Sequence, residues 1–381
     1  MKTHRQRSCL TLAVLFAVLA PVSAAAQSDI LLQLRSGSPQ GDRFRVDSAG
    51  GFVALGNLGV GIIPFSNEGD RTMWYPFRAA FRSGSITGGV GGCPDCWNDA
   101  NMGFFSWAGG WNTMARGNYS FAHGSESRAE GQFSVAMGDR SRVHAPAGGP
   151  FATAGFAMGS QANVHNRAGV ALGELVTSNG QTAVAIGYSN TASADRALAL
   201  GRGATAAHYG AFVWGGTQNS TQTNVVSSTT TGEFTVRAPG GIRMRSNYTL
   251  TTGCNIAAGG GAWSCSSSRT LKEMFVPVNG EEILHRLRAT PVTTWNYIAE
   301  RREVRHMGPM AEDFRAAFGL GDEDTSIGVL DIAGVNMAAV QALERRTAGL
   351  REELVDRDRR IAELEARIAR LEALLTPGSD D

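Results

Sequence analysis

Between residues 105 and 216 the apolar positions recur in short alternating runs, each closed by a glycine. The runs SFAHG, SVAMG, GFAMG, GVALG, AVAIG, ALALG and AFVWG end at Gly124, Gly138, Gly159, Gly173, Gly187, Gly201 and Gly215. Their spacing is 14 residues apart from one interval of 21, whose surplus includes the turn-rich HAPAGGP around Pro146 and Pro150. In a unit such as Ala183-Val184-Ala185-Ile186, period-two alternation predicts a short strand with Val184 and Ile186 on one face and alanines on the other. The closing glycine and polar followers such as Ser189 and Asn190 predict a tight corner, because glycine alone enters positive φ without steric cost. One unit cannot bury its apolar face, whereas a stack of them can. The pattern therefore predicts a β-solenoid.

The flanks read differently. GNLGVGIIP and FRAAFRSGSI, from Gly51 onward, resemble the short β-rich modules common in phage tail-fibre-like proteins. After the roll, the Ser/Thr/Asn-rich run from Gln218 to Thr231 predicts a loop or neck, and GEFTVRAPGGIRMRS predicts a β-structured stem with Phe234 and Val236 alternating. From Ser267 onward glycine thins, charge rises and helical spacing takes over. A helix is predicted around Glu281–Leu287, a strand from Pro291 or Val292 to Tyr297, and a second helix with Pro309 in its first turn and Gly319 just past Phe318. Val340, Leu343, Thr347, Leu350, Leu354, Arg357, Ile361, Leu364, Ile368, Leu371 and Leu375 then stand alternately three and four apart. That seam predicts a coiled coil, with Glu363 and Arg367 on an exposed face, Arg357 interrupting it and Pro377-Gly378 ending it. The expected parse is 1–26 leader, 27–104 N-terminal β-rich region, 105–216 roll, 217–266 stem, 267–345 a small α+β domain and 340–376 coiled coil. The fold class expected is mainly β.

Composition narrows the setting. Lys2, Arg5 and Arg7, the apolar run Leu10–Leu19 and the small residues Ala24–Ala26 predict a secretory signal peptide cut after Ala26, its core too short to span a bilayer. Cys9 precedes the apolar run, where a lipidated cysteine would have to follow it. No later segment reads as a transmembrane helix. With a net charge of +1 and 18% charged residues, the chain lacks the basic excess of a nucleic-acid binder. Four cysteines remain after the leader, and in an oxidising compartment Cys93 with Cys96 and Cys254 with Cys265 are candidate disulfides. Cys93-Pro94-Asp95-Cys96 also has redox or metal spacing, yet no βαβ pattern surrounds it and no second pair has zinc-ligand spacing. No metal or cofactor is expected.

The wording and spacing of the repeats resemble the head repeats of trimeric autotransporter adhesins, which implies a left-handed parallel β-roll shared by three chains. Downstream, SSRTLKE, the Pro291–Tyr297 strand, His306-Met307-Gly308 with Ala311, and GVNMAAVQAL ending at Leu343 resemble the endosialidase-type intramolecular chaperone domain. Members of that family trimerise, assist the β-structured fibre ahead of them to fold, and then cut themselves off immediately before a serine. Carried onto this chain, the resemblance implies Ser267 as nucleophile, Lys272 as its base, and cleavage between Ser266 and Ser267. Where the family has an acidic residue directly after the serine, this chain has Ser268.

A serine hydroxyl is a weak nucleophile and needs a neighbouring base, and a lysine serves only where burial or nearby positive charge favours its neutral form. Arg269 is a candidate source of charge and assembly a candidate source of burial. The alternative makes Ser266–Ser268 a linker, Thr270 the cap of a turn with Glu273, and Lys272 a solvated surface residue. His306, beside Gly308, is expected to serve fold or assembly, and neither Glu312 nor Asp313 pairs with it in the sequence pattern.

The function expected is that of an exported, trimeric, fibre-like surface protein with a single-turnover self-cleaving chaperone. The alternative is a glycan- or surface-binding adhesin whose C-terminal domain is an uncleaved trimerisation module. Expected partners are further copies of the chain and a cell-surface glycan or host surface, with Trp74, Trp97, Trp107, Trp111 and Tyr119 as candidate sugar-stacking residues. A membrane barrel is not expected from a charged helical terminus, and the roll lacks the paired carboxylates of a glycan hydrolase.

Overall fold

The computed structural model describes residues 30–37, 40–89, 92–144, 153–217 and 224–375. The expected leader, the loop at Pro146 and Pro150, and Pro377-Gly378 lie outside them. The chain divides into two compact units, Met1–Ser266 and Ser267–Asp381.

The first unit is mainly β, with two long sheets running side by side along a roll. One has eleven strands and the other eight. A typical coil contributes a five-residue strand to the first and a two-residue strand to the second, as in Val184–Tyr188 followed by Thr191–Ala192. Successive coils pair parallel and in register, so that Val170, Val184 and Leu198 form one row and Leu172, Ile186 and Leu200 another. The inward row is alanine, with Ala171, Ala185 and Ala199 wholly buried. These small side chains let the two sheets approach closely, and Val143, Val164, Val176 and Val213 fill the wider places. Across the 21-residue interval Val135–Asp139 pairs directly with Phe156–Ser160, as coils 14 residues apart do elsewhere.

The roll runs further in both directions than the glycine repeat. Val226–Ser227 and Phe234–Arg237 add a last strand to each sheet, so Phe234 and Val236 form a terminal rung rather than a separate stem element. At the other end the antiparallel hairpin of Gly69–Tyr75 and Ala80–Ile86 closes the larger sheet. This hairpin covers a second core of Met73, Tyr75, Ile86, Cys93, Cys96, Trp97, Met102 and Met114. Trp97 is fully buried there, its Nε1 donating to the Thr113 carbonyl at 2.8 Å, which makes it a structural residue rather than a sugar platform. A disulfide joins Cys93 to Cys96. Arg82 is also fully buried, donating to the carbonyls of Phe81, Ser106 and Ala115, and burial pushes its guanidinium down to about 9.

Two small antiparallel sheets complete this unit. Ile30–Gly37, Gln40–Asp47 and Phe52–Ala54 form one, and Ile242–Arg245, Gly253–Ile256 and Trp263–Cys265 the other. In the second, Cys254 lies opposite Cys265 and the two are disulfide-bonded.

Among its described residues the second unit contains three α-helices: α1 (Gly280–Ala289), α2 (Ala311–Phe318) and α3 (Val329–Leu375). Asn279 caps α1 by accepting from the amides of Glu281 and Glu282. Gly319 ends α2 at φ +65°, as its position predicts. Pro309 stands outside the first turn, because Met310 is extended and the helix begins only at Ala311. A hairpin of Thr293–Trp295 and His306–Gly308 connects α1 and α2. Helix α1 packs on α3 where Gly280 faces Ala342, and Arg346 pairs with Glu281. No helix among the described residues is long and apolar enough to cross a membrane.

Candidate active site at Ser267 and Lys272

Ser267 opens the second unit, and a single 3-10 turn, Arg269–Leu271, follows it. The turn is capped by Ser268, whose Oγ accepts from the Thr270 amide at 3.3 Å and lies 2.9 Å from the Thr270 hydroxyl. Ser268 thus does the capping that sequence spacing offers to Thr270. A serine serves here because its short side chain reaches the amide two residues on. The turn ends as Lys272 returns to extended backbone at φ −132° and ψ 153°. This reversal brings the Lys272 ammonium back over the start of the segment, where Nζ donates to Ser267 Oγ at 2.8 Å. Both residues are exposed. Arg269 lies against the Phe275 ring, 5.3 Å from its centroid.

The residue before the serine is held by the first unit. Ser266 donates its amide to the Gly253 carbonyl at 2.9 Å, and its hydroxyl bonds the carbonyls of Thr251 and Gly253 at 3.1 and 3.0 Å. It directly follows Cys265, one end of the hairpin disulfide. The peptide bond between Ser266 and Ser267 therefore has a tethered residue on one side and a serine in contact with a lysine on the other.

His306 is engaged elsewhere. Its Nε2 lies 2.8 Å from Glu300 Oε2, and its ring packs beside Trp295 and Tyr297, with centroids at 4.7 and 5.6 Å. The hairpin register that sets Trp295 opposite His306 creates this cluster. Glu300 is the partner that sequence reading did not single out: it is six residues away across a turn, and no local pattern links them. A Cβ added at Gly308 would meet nothing within 4 Å, so packing within one chain does not demand glycine there. Among the described residues no group of three His, Cys, Asp or Glu side chains could hold a metal ion.

Residues 267–320 match the family model described as the chaperone of endosialidase, a family of peptidases. That match lies wholly within the C-terminal unit, which is therefore similar to the chaperone of endosialidase. Upstream, residues 110–141 and 178–204 match the YadA head domain repeat. The match to the chaperone begins at Ser267, the residue that Lys272 contacts. No curated protein matches the sequence. Adhesin-type head repeats followed by a chaperone domain make this a fibre- or adhesin-like protein.

Proposed function

We propose that the protein is an exported, trimeric surface fibre whose chaperone domain aligns three chains and then cuts itself away between Ser266 and Ser267. The observation that carries the cleavage reading is the 2.8 Å contact between Lys272 Nζ and Ser267 Oγ at the first residue of the chaperone. In the reaction, neutral Lys272 takes the proton from Ser267 Oγ, and the oxygen attacks the carbonyl carbon of Ser266. The C–N bond breaks, the lysine returns its proton to the departing Ser267 nitrogen, and an ester remains between Ser266 and the Ser267 side chain. Water then hydrolyses the ester to free the Ser266 carboxylate and restore the hydroxyl. Both groups are in water in the single chain, and a lysine is a base only as the free amine. Enclosure by neighbouring chains would favour that form, which ties cutting to completed assembly.

Self-association is supported by two apolar surfaces. The outer face of the larger sheet carries the rows Val170-Val184-Leu198 and Leu172-Ile186-Leu200, continuous with Met158 and Trp214, which are 48% and 39% exposed. Along α3, Leu350, Leu354, Ile361, Leu364, Ile368 and Leu371 are each more than half exposed at heptad spacing. Few side chains of the second unit are buried, chiefly Phe314, Val335, Ala339 and Ala342, so a domain of this size gains most of its core from partners.

Cleavage is tested on a denaturing gel. Wild-type protein should yield fragments of about 25 and 13 kDa, with the smaller one beginning at Ser267 by mass. Ser267→Ala and Lys272→Arg should each leave one full-length band while assembling normally, because arginine keeps the charge but gives up no proton near neutral pH. Assembled wild-type protein that stays intact would sink the peptidase reading.

A further inference from the structure

The smaller sheet of the roll turns a polar face outward, and that face changes character along its length. In Arg128–Ala129, Arg142–Val143, Asn163–Val164 and Thr177–Ser178 the second residue is buried and the first is half-exposed. The register sets Arg142 beside Arg128 and Asn163 beside Arg142 on neighbouring parallel strands, about 4.8 Å apart. Arg116 stands two residues beyond Met114 of the preceding strand, Met114–Ala115, and Glu130, His144 and His165 hold the same place after Arg128, Arg142 and Asn163. Their amides donate to Ala129, Val143, Val164 and Ser178 and so extend the same ladder. The rings of His144 and His165 stack with centroids 4.5 Å apart.

This array has more positive than negative charge within it. Like charges directly opposite on neighbouring strands are unfavourable unless a counter-charge joins them. Among the described residues neither Arg128 nor Arg142 forms an ion pair. The Nε of Arg128 is shielded from solvent without a hydrogen-bond partner. Glu130 is the one carboxylate in the array. Beside it lies an open groove of about 350 Å³ lined by Arg116, Asn118, Glu130 and Gln132 together with Arg78 and Phe104. Tyr119 and Phe133, next in the chain after Asn118 and Gln132, are 50% and 55% exposed.

We infer that this face binds an acidic polysaccharide, with carboxylate or sulfate groups seated on the Arg128–Arg142 pair and sugar hydroxyls on Asn118 and Gln132. Guanidinium forks match the paired oxygens of both anions, and a rigid ladder that repeats once per coil suits a polymer that repeats its charge. A saccharide fits better than a nucleic acid. Base binding needs open ring faces, whereas Tyr119 is stacked between Phe105 and Phe133 at 5.1 and 5.0 Å and offers only its edge. The apolar rows lie on the other sheet, so self-association through them leaves this face accessible. The inference does not depend on cleavage at Ser267.

The test uses the full chain carrying Ser267→Ala, so that both units stay together, on immobilised heparin, alginate and neutral dextran, with duplex DNA as the competing polyanion. Retention is expected on heparin or alginate and not on dextran, and it should fall steeply as salt rises to about 0.5 M. The double variant Arg128→Gln, Arg142→Gln should lose about tenfold in affinity. Arg301→Gln, Arg302→Gln, which removes the same charge from the second unit, should bind as wild type. Because the half-buried pair also packs, Arg116→Gln at an exposed position serves as the second variant, with a smaller loss expected at an unchanged melting temperature. Failure to bind either acidic polymer, binding to DNA as tight as to heparin, or equal loss in the Arg301/Arg302 control would overturn the assignment.

Discussion

At Gly187 the backbone runs at φ +119°, and an added Cβ would stand 2.1 Å from the carbonyl oxygen of Gly201 on the next rung. The obstacle is main chain and cannot rotate away, so strain and clash act together. Gly187→Ala is expected to destabilise the roll by about 2–4 kcal/mol, read as a lowered melting temperature. An unchanged melt would refute this account of the glycine row. The left-handed residues other than glycine lie elsewhere. Glu126, Arg140, Leu175 and Ser189 hold φ between 51° and 52° or 55° at one corner, and Tyr119, Phe133, Thr182 and Arg196 occupy the other. Their amides are satisfied by the preceding coil, as when Ser189 donates to the Glu174 carbonyl at 2.9 Å. Nothing in these side chains announces the conformation, because the stack imposes it. The repeat glycines from Gly124 to Gly201 do hold the positive φ that sequence reading assigned them, and they also allow the close approach of neighbouring backbones, while the left-handed residues that follow them complete the corner.

Among the elements, the strands were legible because their alternation is local. Val184 and Ile186 face outward and Ala185 inward, as period two requires, and the parallel long sheets bear out a mainly β chain. Pairing between coils was less legible, since it depends on which residues the stack sets side by side. The stacked imidazoles are a case. Burial holds His144 below the usual histidine range, against opposing contributions from Asn163 and Glu130 and with reinforcement from Arg142 and Arg128. Burial also holds His165 down, helped by His144. For these groups the folded chain takes up protons at lower pH than the unfolded chain, whose imidazoles titrate near 6.5. As pH falls through that value the unfolded state binds more protons, and stability is lost. The roll should therefore melt lower at pH 5 than at pH 7.5. His165→Gln should flatten the dependence, and an identical slope in that variant would remove the histidine pair from the explanation.

For the whole molecule, the decisive surfaces are those that one chain leaves uncovered. Leu172 belongs to an outward row that continues through Ile186 and Leu200. A carboxylate in the middle of an apolar seam between chains would be desolvated without a partner, so Leu172→Asp should shift the assembled protein toward monomer in sedimentation. A variant that assembles like the wild type would show that this sheet face is not the seam. The same logic bears on Ser267 and Lys272: their separation is local, set by one 3-10 turn, while both stay exposed in the single chain.

The amino-acid order by itself determined the repeating coil, the helical character of the last third and the serine–lysine spacing, because each depends on neighbours a few residues apart. Tertiary structure alone decided that the smaller sheet runs on to Ser227 and the larger to Arg237, and that Ser268 does the capping. It also decided that Trp97 is buried beneath the end hairpin, that Glu300 meets His306, and that Arg128 and Arg142 stand side by side without an ion pair among the described residues. These depend on contacts between distant segments, and no linear period records which side chains a stack of coils will bring together.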